Sequence, residues 1–336
     1  LACGLDLAHT GDNLTGQPFG DAMSDDALMP DQSPEWDIPV PYIRRTHEWY
    51  NALGYGNPYR YAQYAEVPFT APGKPLSKSR VALLTTAAPF DPEKGPQGAG
   101  APYNAAAKFY RMYTGDTSVD HDLRVSHVGI DRGHITDDAN TWFPLPALRR
   151  AAAAGRIGGV SPRFIGVPTN RSQRHTIETD CPEILAALRA DHIDVAVLVA
   201  NCPVCHQTMS LTARYLEANG IPTVVMGAAK DIVETCGVPR FLFSDFPLGN
   251  AAARPHDTAS QDSTLGLALG LLDSAIAPRT TLQNPLRWAS GPQWRLDYLN
   301  LSRLTPAEIA ERRAANDRIK QVAQGVRDAT LAGQQS

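Results

Sequence analysis

The chain has too few cysteines for a disulfide scaffold: five in 336 residues, scattered except for one pair set three apart. It has no basic excess, with Lys+Arg at 31 against Asp+Glu at 35 and a formal net charge of -4. A surface for nucleic-acid phosphates needs such an excess, so nucleic acid is not expected as a partner. No apolar run approaches the roughly 18–20 residues that cross a bilayer, so no membrane association is expected. An internal repeat and a Gly-rich phosphate fingerprint are missing too. The glycines of Gly95-Pro96-Gln97-Gly98-Ala99-Gly100 do not lie between a strand and a helix at dinucleotide-binding spacing. What is present is 43% hydrophobic against 20% charged residues, enough for a sizeable core. The 26 glycines and 27 prolines imply long structured loops. Leu1-Ala2-Cys3-Gly4 loosely matches a lipoprotein cleavage site with no charged and apolar leader before it, so an ordinary terminus is expected. The expected compartment is the cytoplasm, where paired thiols are redox-active or metal-bound rather than structural.

Three parts are expected: an irregular arm with a short helix over 1–79, an α/β body over 80–277, and a loop with a long helix over 278–336. Gly11 to Asp37 reads as an irregular or mobile arm. Ile43 to Leu53 reads as the short helix, and aromatics crowd around it (Tyr42, Trp49, Tyr50, Tyr55, Tyr59, Tyr61, Tyr64). They form either a packing arm or an aromatic wall for a substrate or a partner subunit. In the body, Val81–Thr86, Leu123–Ile130, Arg163–Val167, Val195–Ala200, Thr223–Met226 and Phe241–Phe243 read as strands. Asn104–Tyr113, Pro144–Ala154, Pro182–Ala190, His206–Asn219, Lys230–Thr235 and Ser260–Ile276 read as helices. The alternation predicts a mostly parallel sheet with helices on both faces, in flavodoxin- or Rossmann-like layers. Thr305-Pro306-Ala307-Glu308 is a capping box that opens the long C-terminal helix, an exterior or subunit-contacting element.

The most informative stretch runs from Asp194 to Met209, where an apolar strand delivers Cys202-Pro203-Val204-Cys205-His206 to the start of a helix. Ligands bind at the carboxyl ends of strands in open α/β sheets. A thiol at a helix N-terminus ionises more readily, and the thiolate is the nucleophile. The spacing lets Cys202 and Cys205 close into a disulfide, with His206 as a nearby proton carrier. A structural zinc site wants a second close pair, and Cys181 and Cys236 are isolated. Two inert core cysteines would sit within a strand rather than past its end.

A second cluster, Ser126 to Asp138, also follows an expected strand and can meet the Cys pair across the same sheet edge. His127, Asp131 and His134 there are candidates for proton transfer, substrate binding or metal ligation, against a bland reading as turn-capping residues. Thr85 and Thr86 end the first strand, and Asn170 and Arg171 follow the third. Arg171 is placed to hold a carboxylate or other anion. Asp245 ends the last strand at the pocket rim.

Val195 to Met209, with Gly220–Val225, Ser244–Gly249, Val81–Thr86 and Trp142–Leu145, resembles the glycine/sarcosine/betaine reductase selenoprotein B family, to which the D-proline reductase selenoprotein subunit is related. The resemblance covers roughly residues 40 to 275. It implies reductive cleavage of a C–N bond: a selenocysteine attacks substrate carbon activated by a pyruvoyl group on a partner subunit, and neighbouring cysteines regenerate it. The aligned selenocysteine position, three residues before the first cysteine, is Val199 here. The chain is therefore expected to be a selenium-free member that keeps Cys202, Cys205 and His206.

Three functions remain open at this point. The first is a thiol-dependent reductase in which Cys202 and Cys205 reduce or cleave a small-molecule substrate, His206 or His127 moves protons, and an external dithiol resets the pair. The second is a metal-dependent enzyme, with zinc or iron held by Cys202, Cys205 and His127 or His134. The third is a non-catalytic subunit of a reductase complex. A partner subunit or self-association into a homo-oligomer is expected under all three.

Overall fold

The structure is a computed structural model that describes residues 38–56, 59–289 and 291–332. The readings placed on Leu1–Gly4 and Gly11–Asp37 lie outside the described residues. The sheet is built from strands β1 (Arg80–Thr85), β2 (Tyr113–Asp116), β3 (Arg163–Gly166), β4 (Val195–Val199), β5 (Thr223–Gly227), β6 (Arg240–Phe243) and β7 (Thr280–Gln283). Their order is β7-β6-β5-β4-β1-β3-β2, with a short piece, Gly159–Val160, pairing beside the start of β1. All pairings are parallel except that of β2 with β3.

β1, β4 and β5 are buried along almost their whole length. That is why they read as continuous Val/Leu/Ala runs rather than alternating ones. Helices cover both faces. α2 (Leu145–Ala153) and α6 (Thr258–Ser274) pack together on one face. α3 (Cys181–Ala190), α4 (Pro203–Ala218) and α5 (Lys230–Cys236) form the other layer. The expected layered α/β class is what the chain adopts.

The arm helix α1 (Tyr42–Ala52) packs through Tyr42 against Tyr298, with Ala229 and Ile232 of the body in the same apolar cluster. Further along the arm, the Glu217 carboxylate accepts the backbone N–H of Thr70 (2.6 Å) and of Thr223 (2.5 Å), and a guanidinium N–H of Arg240 (2.8 Å). Glu217 and Arg240 side chains are both fully buried. A buried pair of this kind holds its place through further hydrogen bonds, here including one from Arg240 to the Thr70 carbonyl (2.9 Å), although Arg240 Nε is left without a partner. It fastens the arm across the end of α4.

Three local expectations change. Asn104–Tyr113 is not a helix: Ala105–Ala107 form one 3₁₀ turn, capped by the Asn104 side chain, which accepts from Ala106 N–H. The chain then enters β2, an antiparallel edge strand. Alanine propensity loses here to packing of the turn and of Tyr113 against Phe164. Of Leu123–Ile130 only Leu123–Arg124 pairs, antiparallel with Ala88–Pro89 and outside the main sheet. The rest is loop, and it carries His127 towards the site. β7, which follows Ile276, was not expected from the sequence.

Candidate functional site

The chain runs from β1 outward to β3, then returns to place β4 on the opposite side of β1. The carboxyl ends of β1 and β4 therefore diverge at a topological switch point, the customary ligand crevice of such sheets. Thr86 follows β1 there and Asn201-Cys202 follows β4. The Asn201 side-chain amide donates to Thr86 Oγ1 at 2.9 Å, tying the two ends together.

Cys202 is the N-cap of α4, and its sulfur accepts the Cys205 backbone N–H at 3.2 Å. Pro203 occupies the first helical position, where a missing N–H costs nothing. One turn on, Cys205 brings its sulfur to 2.6 Å from that of Cys202, inside nonbonded contact. His127 joins them, and its ligand nitrogen and the two sulfurs lie within 4.8 Å of one another, all three residues buried. His127 Nε2 lies 2.7 Å from the Thr86 carbonyl. A carbonyl only accepts, so Nε2 carries the proton and Nδ1 is the nitrogen left for the sulfurs.

Burial opposes ionisation of Cys205, yet the hydrogen bond from Cys202, then His127 beside it and Thr86, outweigh burial and hold this thiol well below its usual range. Cys202 is pushed well above its usual range, first by burial and then by the neighbouring sulfur. The pair thus shares one proton and one negative charge, supported by the N-terminus of a 16-residue helix.

His206 lies elsewhere in function. Its Nδ1–H donates to the Cys202 carbonyl (2.7 Å), and its Nε2 accepts the N–H groups of Ala228 (2.8 Å) and Ala229 (3.1 Å). Only the neutral ring can do this, and burial foremost drives its pKa down to about 4. The ring clamps the start of α4 to the end of β5. The next residue, Gln207, grips the arm: its Oε1 accepts from Ala62 N–H at 2.5 Å, and its amide donates to the Tyr59 hydroxyl.

Above the sulfurs lies a cavity of about 870 Å³, onto which Cys202 and His127 open while Cys205 does not. Trp49, Tyr50, Tyr59 and Tyr61 of the arm line it, with Tyr103, Tyr298, Lys108, Asp131, His134 and Arg171. Four of the seven crowded aromatics thus wall this cavity, while Tyr42, Tyr55 and Tyr64 pack instead against Tyr298, Lys320 and Arg214. Its outer side is covered by α7 (Pro306–Ala332), through Arg312, Ala315, Asn316 and Ile319.

The other sequence candidates divide. Asp131 lies in the cavity with one carboxylate oxygen buried and unpartnered, and burial raises its pKa to about 6. His134 lines the cavity but bonds to Asp297 at 2.9 Å and is not in the sulfur cluster. Arg171, in a left-handed backbone conformation (φ 60°), stands over the Tyr50 and Tyr59 rings at the cavity wall. Thr85 and Thr86 are buried beneath the sulfurs, where the Thr85 hydroxyl accepts from Ala87 N–H. Asn170 donates to Asp180, and Asp245 is paired with the buried Arg295; neither lines the cavity. Val199 is the fully buried last residue of β4 and does not reach the cavity either.

Lys108 was not anticipated. It lines the cavity with its pKa lowered, burial being the main cause. Its place beside an Ala run offered no pattern to find it by.

A family model described as glycine/sarcosine/betaine reductase selenoprotein B matches residues 51–201. The chain is 32% identical over 203 residues to the D-proline reductase subunit gamma of Acetoanaerobium sticklandii, covering 58% of this chain and 81% of that protein. It is 25% identical over 210 residues to the glycine reductase complex component B subunit gamma of Symbiobacterium thermophilum, covering 60% of this chain and 48% of the relative. The same subunit of Carboxydothermus hydrogenoformans is 25% identical over 223 residues, covering 65% and 49%. The chain spans about half the length of these last two relatives. No solved structure matches it significantly. With four-fifths of the D-proline reductase subunit matched along a site-bearing α/β body, the chain belongs to the glycine/sarcosine/betaine reductase selenoprotein B family.

Proposed function

We propose that the chain is the thiol-bearing component of a reductase complex and that Cys202 and Cys205 are its redox pair. The observation that carries this reading is geometric. Two sulfurs at 2.6 Å sit with His127 at the switch point of the sheet, and only Cys202 opens onto the cavity. The relatives are named as subunits of reductases, which supports partner subunits for this chain.

In this mechanism Cys202 attacks an electrophilic atom X of a bond X–Y, as the proton shared by the pair moves to Cys205 or His127. Sulfur bonds to X, and Y leaves with the bonding pair and takes a proton. Cys205 sulfur then attacks Cys202 sulfur. The disulfide forms, X departs with the S–X pair, and a second proton completes the product X–H. The pair has supplied two electrons and its one shared proton, solvent supplies the second proton, and an external dithiol restores the pair. The cavity takes a small molecule, with Arg171 and Lys108 as cations for an anionic group and the aromatic wall for its apolar part.

Reaction with an aromatic disulfide reagent tests this. Above the background of Cys202→Ser, the reduced chain should release two thiolate leaving groups: one on attack by Cys202 and one on closure by Cys205. Cys205→Ser should release one and stop as a mixed disulfide at Cys202. Equal release by Cys202→Ser and the unmodified chain would remove the proposal.

A further inference from the structure

The ring of His127 is held for a task that proton transfer alone does not require. Its Nε2–H is fixed on the Thr86 carbonyl at 2.7 Å, and Thr86 is itself fixed by Asn201 at 2.9 Å. This leaves Nδ1 as the nitrogen free to coordinate, on a ring that offers a donor atom within 4.8 Å of both sulfurs. A ring N–H anchored on a backbone carbonyl is how proteins orient a histidine that ligates a metal through its other nitrogen. One imidazole and two thiolates are a soft donor set that suits zinc. Three protein ligands leave a fourth tetrahedral position, and here it faces the cavity, because Cys202 and His127 line it.

We propose that the reduced pair and His127 bind one Zn²⁺ ion, and that this ion and the Cys202–Cys205 disulfide exclude each other. Two Zn–S bonds of ~2.3 Å at a tetrahedral angle hold their sulfurs about 3.8 Å apart. The sulfurs stand at 2.6 Å, so the ion needs them spread and the disulfide needs them closed. Cys202, at the helix cap rather than inside the helix, is the side chain that turns. On binding, both sulfurs become thiolates and any thiol proton left on the pair passes to solvent; no electrons move. A chain loaded with zinc is held reduced, with the nucleophile withdrawn from substrate. Zinc capture stands on the donor geometry alone. Its regulatory meaning rests on the redox reading above.

The test uses the full chain, reduced with a phosphine, stripped of metal, then dialysed against zinc chloride and an indicator of moderate zinc affinity. One zinc per reduced chain is expected, and none above background per chain oxidised beforehand. The oxidised chain needs no substitution, so it controls for folding. His127→Gln should weaken binding at least tenfold, and Cys205→Ser should abolish it. Cobalt chloride should give thiolate-to-metal absorption in the reduced chain only. No stoichiometric zinc on the reduced chain, or equal zinc on the oxidised one, would overturn the proposal. A chain that binds no zinc but forms the disulfide leaves the redox reading intact. One that binds zinc but never forms the disulfide sinks the redox reading and leaves the metal site.

Discussion

His206 follows Cys205 in the chain and His127 lies 78 positions before it, yet the distant one is grouped with the two sulfurs. In the neutral ring of His206 both nitrogens are spent, one donating and one accepting twice. His127 has one nitrogen spent on the Thr86 carbonyl and lies with the two sulfurs in one cluster. The sequence names both histidines as candidates, and the difference between them lies in the hydrogen bonds each ring makes. Asp131 shows a different kind of specialisation. Its unpartnered oxygen is kept in the cavity against burial, and its pKa of about 6 lies above the unfolded value near 3.8. The folded state therefore binds more protons than the unfolded between those values, and stability falls as pH rises through 6. Asp131→Asn removes that loss. We predict a variant more stable than the parent at pH 8 by up to about 3 kcal/mol, with the gain gone by pH 4. Denaturant melts at the two pH values measure it. A variant no more stable than the parent at pH 8 would show that the carboxylate has a partner after all.

β4, the Cys pair and the body of α4 are legible together because one continuous apolar run ends at the Cys pair, although the helix expected from His206 already opens at Pro203. The two missed strands had no such signal. β2 has a half-buried edge pattern, and β7 has no buried residue. Neither shows a clean period, and their places are set by β3 and β6 beside them. The 126–138 loop was legible as chemistry but not as structure. The strand expected over Leu123–Ile130 stops at Arg124, and the docking of His127 on Thr86 joins residues 41 apart. The seat of α4 makes a sharper prediction. A Cβ at Gly227, the last residue of β5, would stand 2.7 Å from the His206 ring. Gly227→Ala should push the ring off Ala228 and Ala229 and destabilise the fold by about 1–3 kcal/mol. It should also raise alkylation of Cys205, which is otherwise fully buried. Unchanged stability in thermal melts would mean that β5 yields and the clamp is not tight.

Taken as a whole, the protein is a well-packed α/β body whose cavity is walled by the arm and roofed by a helix with little burial. None of the described side chains of α7 is buried. It is held by Tyr55, whose hydroxyl bonds Asp317 and whose ring carries Lys320 at 3.2 Å, and by the Tyr110 hydroxyl donating to the Ala323 carbonyl at 2.9 Å. Arg312 over the Trp49 ring and Arg313 over the Tyr55 ring add to these, but contacts so exposed give low local stability. Limited proteolysis should cut first between 299 and 305, and Tyr55→Ala should speed that cut several-fold while the body stays whole. Peptide masses over time decide it, and first cuts within 80–277 would refute it. The long helix was expected from its capping box, but its role as a roof was not: a solvated sequence does not reveal which groove it lies over. The proposed chemistry turns on the thiol pair. The most direct measurement equilibrates the chain against graded dithiol/disulfide buffers and maps the products by peptide mass. The prediction is one two-electron step that joins Cys202 to Cys205 while Cys181 and Cys236 stay reduced. A pair that remains reduced across the whole range, or that oxidises only together with those two buried cysteines, would contradict it.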